Sequence, residues 1–126
     1  PTELYPLSWD QRHTVVLNLE WSPLSWLSSI LNLHYNSGLP YTLDKGEYTR
    51  PNGERMQPTQ EINFRLNGSW PMQNMHQLHG FFEITNLLNQ QNVLWVDSNG
   101  LSGGILNDPG AYDLSRRIRV GIGFDL

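Results

Sequence analysis

Cysteine is absent from the 126-residue chain, so neither a disulfide framework nor a thiolate metal site is open to it. Long apolar runs are missing as well. No stretch nears the roughly 20 residues of a spanning helix, which excludes a helical membrane protein. Basic charge is scarce: 8 Lys and Arg stand against 12 Asp and Glu, for a formal net charge of −4. That balance argues against a nucleic-acid partner. The first residue is Pro1, without initiator Met or signal peptide, as expected of a processed protein or a fragment. None of these absences bears on a β-barrel, whose outward apolar residues are diluted by inward polar ones.

What is present favours strands and turns. The chain holds 5 Trp, 11 Gly and 8 Pro, and Asn is abundant. The clearest stretch is Arg116 to Leu126, RRIRVGIGFDL. Ile118, Val120, Ile122, Phe124 and Leu126 take alternate positions, with Arg117, Arg119, Gly121, Gly123 and Asp125 between them. A strand sends successive side chains to opposite faces, so one face is apolar and the other charged or bare. Such a strand needs a neighbour on each edge and a greasy surface against its apolar face.

Alternation places four more strands before it. The first spans about Arg12–Trp21, with Val15, Leu17, Leu19 and Trp21 opposing Thr14, Val16, Asn18 and Glu20. Ser22-Pro23-Leu24-Ser25 reads as a tight turn, because proline cannot donate into a ladder. The second spans about Trp26–Asn36, with Asn32 and His34 on its more polar side. The third, about Glu61–Trp70, sets Ile62, Phe64, Leu66 and Trp70 against Asn63, Arg65, Asn67 and Ser69. The fourth, about Leu78–Leu88, sets Leu78, Phe82 and Ile84 against His79, Phe81, Glu83 and Thr85.

The stretch Pro1–Gln11 and the connections Ser37–Gln60 and Asn89–Ser115 read as long polar loops. Pro71–Gln77 is a short connection. Connections therefore run short, long, short, long, a sorting that outer-membrane barrels show and a soluble meander has no reason to adopt. Aromatic residues gather at strand ends, Trp21, Trp70 and Phe124 at one and Tyr35 at the other, as interfacial girdles do. Two-sidedness alone does not separate a lipid-facing apolar surface from a soluble core.

Several of these stretches resemble the C-terminal end of a TonB-dependent outer-membrane receptor. They are WDQRHTVVLNLEW at Trp9–Trp21, HYNSGLPYTL at His34–Leu43, EITNLLNQQNV at Glu83–Val93, and the final RRIRVGIGFDL, in family order. The last residue departs from the pattern, being Leu126 where such proteins usually end in Phe. The resemblance implies an all-β chain, the last five strands of an antiparallel up-and-down transmembrane barrel of about 22 strands. It implies location in the outer membrane of a Gram-negative bacterium. The parent protein would import scarce ligands such as siderophores, haem, cobalamin or oligosaccharides. Its partners would be outer-membrane lipid, a plug domain, the remaining barrel strands, and the TonB complex through an N-terminal region absent here.

On that expectation Val15, Leu17, Leu19, Trp21, Phe64, Leu66, Trp70, Ile84, Val120, Ile122 and Phe124 face lipid. Asn18, Glu20, Asn32, His34, Asn63, Arg65, Asn67, Glu83, Arg117 and Arg119 face the lumen. Glu20, Arg65, Glu83, Arg117 and Arg119 are expected to pair across strands, either as a wall for a plug or as ordinary lumen polarity.

No catalytic constellation, cofactor or metal site stands out. His76 and His79 are three apart but straddle a turn and a strand start, without a third ligand. Asp97-Ser98-Asn99-Gly100 begins like a calcium loop but lacks its later acidic ligands. Two other readings remain open: a passive outer-membrane channel, and a soluble all-β module whose apolar faces line a ligand cavity.

Overall fold

The computed structural model describes residues 4–72 and 76–125. It is all-β, with half its residues in strands, and no α-helix occurs among the described residues. Seven strands form: β1 (Thr14–Leu24), β2 (Leu27–Asn36), β3 (Pro40–Tyr41), β4 (Glu54–Arg55), β5 (Thr59–Pro71), β6 (Gln77–Thr85) and β7 (Arg117–Asp125). Five of them make one antiparallel sheet in the order β1-β2-β5-β6-β7, and β3 pairs with β4 separately. The large sheet is open: β1 and β7 are its edges.

Contacts divide the chain into two compact units. One takes in the N-terminal segment up to Val15 together with Tyr35–Gln60 and Gln91–Leu114. Cross-links from side chain to backbone organise it. Arg55 donates to the Asp10 and Gly38 carbonyls at 2.8 and 3.1 Å and pairs with the Asp10 carboxylate. Asn52 donates to the Pro6 carbonyl, and Asp44 N–H bonds the Ser98 carbonyl at 2.7 Å, joining the two long connections. The long polar loops are thus tied together by hydrogen bonds and an ion pair. Ser37 explains the SGLPY step: it exchanges backbone and side-chain bonds with His13, after which Pro40–Tyr41 enters the small sheet.

The other unit comprises Val16–His34, Glu61–Gln90 and the chain from Ser115 on, and carries most of the large sheet. Here the structure corrects several boundaries. The first strand starts at Thr14 and runs through Ser22, Pro23 and Leu24, so the proposed turn there does not exist. The turn is Ser25–Trp26, and β2 begins at Leu27. Pro23 is tolerated because β1 is an edge strand, where a missing donor leaves no ladder bond unmade. β6 stops at Thr85 rather than Leu88, because Asn86 turns left-handed at φ 54°. Three expectations fall partly outside the described residues: the first three of the N-terminal loop, residues 73–75 of the short connection, and Leu126.

The register of the last three strands is continuous. Rows such as Arg65–Glu83–Arg119 and Leu66–Phe82–Val120 cross β5, β6 and β7 in line. The described residues form little packed interior. Pro40 and Ala111 are the buried apolar side chains among the described residues, and neither belongs to the large sheet. The dominant favourable term in folding, removal of apolar surface from water, is therefore left unclaimed by this sheet alone.

Candidate functional site: two faces of one sheet

Alternation along each strand and register between strands assign every candidate residue to a face. The apolar face carries Phe64, Leu66 and Trp70 on β5, Ile84 on β6, and Val120, Ile122 and Phe124 on β7. By the same alternation Val15, Leu17, Leu19 and Trp21 share one side of β1. Several of them are largely exposed. Trp21 is 68%, Val120 70% and Ile122 82% exposed, values of an uncovered surface rather than of a core. Trp26 and Trp70 lie together, with ring centroids 5.6 Å apart. The Trp70 indole lies over Gly68, where an added Cβ would come within 2.4 Å of the ring.

The opposite face carries Asn63, Arg65 and Asn67 on β5, Glu83 on β6, and Arg117 and Arg119 on β7. Asn18 and Asn32 join it across β1 and β2 through a 2.7 Å amide hydrogen bond, and alternation adds Glu20 and His34. Glu83 is the centre. Arg65 donates to its Oε2 at 3.0 Å and Arg119 Nε to its Oε1 at 3.0 Å, with Arg119 Nη2 on the same oxygen. Arg65 Nε donates further to Asn67 Oδ1 at 2.7 Å, and its guanidinium lies 4.5 Å from the Phe81 ring centre. Phe81 itself lies flat over Gly121, where a Cβ would approach the ring to 2.2 Å. Of the five charges expected to pair, three form this ladder. Glu20 and Arg117 share the face and stand outside it.

The histidines do not form a site. His79 pairs with Asp125 at 2.7 Å, reaching past the bare Gly123, while His76 stacks on Phe124 at 5.7 Å. Phe124 and Asp125 are consecutive on a strand, so the two rings sit on opposite faces. No cluster of metal-binding side chains occurs among the described residues.

Asp97 caps its own turn. Its Oδ1 accepts the N–H groups of Asn99 and Leu101 at 2.9 and 2.8 Å. The Leu101 N–H, foremost, holds the Asp97 carboxyl below its ordinary value. Asp44 is lowered likewise, chiefly by the Gly46 N–H.

Two asparagines were not marked by alternation. Asn86, 2% exposed, takes the Gln90 N–H on Oδ1 and donates Nδ2 to the Gln90 carbonyl, both at 2.9 Å. Its own N–H reaches Asn63 Oδ1 at 2.9 Å. Asn92, 4% exposed, does the same to Gln60, as though its side-chain amide were a strand neighbour. The available signal was the recurrence of Asn just after the fourth strand, where tolerance of φ > 0 and local hydrogen bonding are both useful.

No known protein family, curated protein or solved structure matches the chain.

Proposed function

We propose that this chain is a wall segment of an outer-membrane β-barrel, the C-terminal portion of a TonB-dependent receptor importing a scarce ligand. The observation that carries the reading is a run of five neighbouring strands, 9 to 13 residues long, whose apolar face is largely exposed among the described residues. A strand crossing the hydrocarbon layer needs about 9–11 residues. Lipid covers such a face without help from the chain, whereas a soluble module must supply a second layer of its own. Five strands are too few to close a barrel, so β1 and β7 would pair with strands supplied elsewhere in the protein. The sorting of short and long connections fits the same reading.

The receptor assignment is finer than the barrel assignment and rests on the sequence resemblance. Fractionation of cells producing the full-length protein separates the cases. A receptor is recovered with outer membranes, resists alkaline extraction, and loses ligand uptake when TonB is deleted. Uptake indifferent to TonB would indicate a passive channel. Recovery as a soluble periplasmic protein would sink both membrane readings.

A further inference from the structure

Around Glu83 the polar face holds one guanidinium more than its ion pairs use. A concavity of about 310 Å³ opens there between β2, β5, β6 and β7, and is lined by Arg65, Arg117, Arg119, Glu83 and the amides of Asn32 and Asn63. Three guanidinium groups thus surround one carboxylate, leaving two positive charges in excess. Glu83 is already committed on both oxygens, to Arg65 and to Arg119. In the next row Arg117 faces Thr85, a hydroxyl and not an acid. Among the described residues Arg117 forms no ion pair. A guanidinium presents up to five donors in a planar fork that suits a carboxylate bidentately. Arg117 and Arg119 are two residues apart on one strand and one face, so their Cα atoms are about 7 Å apart.

We infer that this concavity is a binding subsite for a small polycarboxylate, with Arg117 the main anchor and the free edge of Arg119 the second. Two carboxylates on one small molecule match two forks at that separation, and a single compact anion reaches only one. Glu83 holds Arg65 and Arg119 in place and repels an anion that would displace it. The lining is net positive, three guanidinium groups to one carboxylate, and a net positive concavity concentrates anions. The inference rests on one part of the functional proposal only, that the polar face opens to water.

The test is calorimetric titration of the full-length protein, in detergent, with citrate and separately with inorganic phosphate. Citrate should bind saturably, phosphate more weakly, and Arg117→Gln should raise the citrate Kd about tenfold. Arg117 lies outside the Glu83 ladder, so this variant should keep its native gel mobility before heating. Absence of saturable citrate binding, an unchanged Kd in Arg117→Gln, or phosphate binding as tightly as citrate would each overturn the inference. Outer-membrane fractionation is scored independently, so citrate binding by a protein that fails to reach the membrane refutes the location and not the subsite.

Discussion

The two faces of the sheet use the same backbone and solve opposite problems. On the polar face many side chains bond within the chain: Arg65 and Arg119 on Glu83, Asn18 on Asn32, His79 on Asp125. On the apolar face Val120 and Ile122 touch little and lie mostly bare. Even the matched glycines differ. Gly121 admits Phe81, which Arg65 then covers, whereas Gly68 admits a Trp70 that lies tilted against Trp26. One face ties much of its polarity into contacts within the chain, and the other is largely bare. On the proposed membrane reading, hydrocarbon covers the bare one.

The contrast is most strongly tested by placing a charge on each face. Ile122→Arg should destabilise the full-length protein in lipid vesicles by about 2–4 kcal/mol, read by denaturant unfolding. Ser69→Arg, one row away on the polar face, should stay within about 0.5 kcal/mol. Equal costs would mean that the faces are wrongly assigned. Next in size is Asn86→Ala, which strips the hydrogen bonds from a buried turn and should cost about 1–3 kcal/mol in the same assay. A loss below about 0.5 kcal/mol would show the turn to be held by its backbone alone.

The glycines sharpen the comparison further. Gly121→Ala should cost about 1–2 kcal/mol, because Phe81 must leave both its bed and the Arg65 guanidinium. Gly68→Ala should cost less, since Trp70 swings into apolar surroundings. Tryptophan fluorescence of the second variant should shift while its unfolding midpoint hardly moves. A larger loss at Gly68 than at Gly121 would reverse the ranking.

The smallest effect belongs to the loop unit. The Asp97 carboxyl is lower in the folded protein than its ordinary 3.8. Its contribution to order is therefore fully present above that value and fades as pH falls through the lower, folded one. Exchange protection of the Asn99 and Leu101 amides should hold from neutrality to about pH 4 and drop only below it. Loss of protection near pH 6 would point to a histidine instead.

How much of this was legible beforehand follows from what periodicity encodes. β5 and β7 were readable because every second residue declares its face, and the Arg65–Glu83–Arg119 row needed only register added to alternation. β1 was misread at its end, since Pro23 signals a break unless the strand is known to be an edge. β3 and β4 are two residues each, too short for any period to show. Asn86 and Asn92 were hidden for another reason. A side-chain amide that imitates backbone depends on where two distant segments meet, and no local pattern records that. Of the candidate site, the sidedness of the residues was in the sequence, and the excess of guanidinium around Glu83 was not.

The unpaired edges of β1 and β7 carry one last consequence. An isolated strand edge leaves donors and acceptors unmade, at a cost of several kcal/mol each where water is absent. The folding free energy of the sheet then depends on what pairs with those two edges. It is a linkage quantity, set by whether matching edges arrive within the same molecule at high effective concentration or from other copies at low concentration. Diluting the chain should unfold it, and concentrating it should drive edge-to-edge association. Pairing of both edges within one molecule would make its stability independent of concentration.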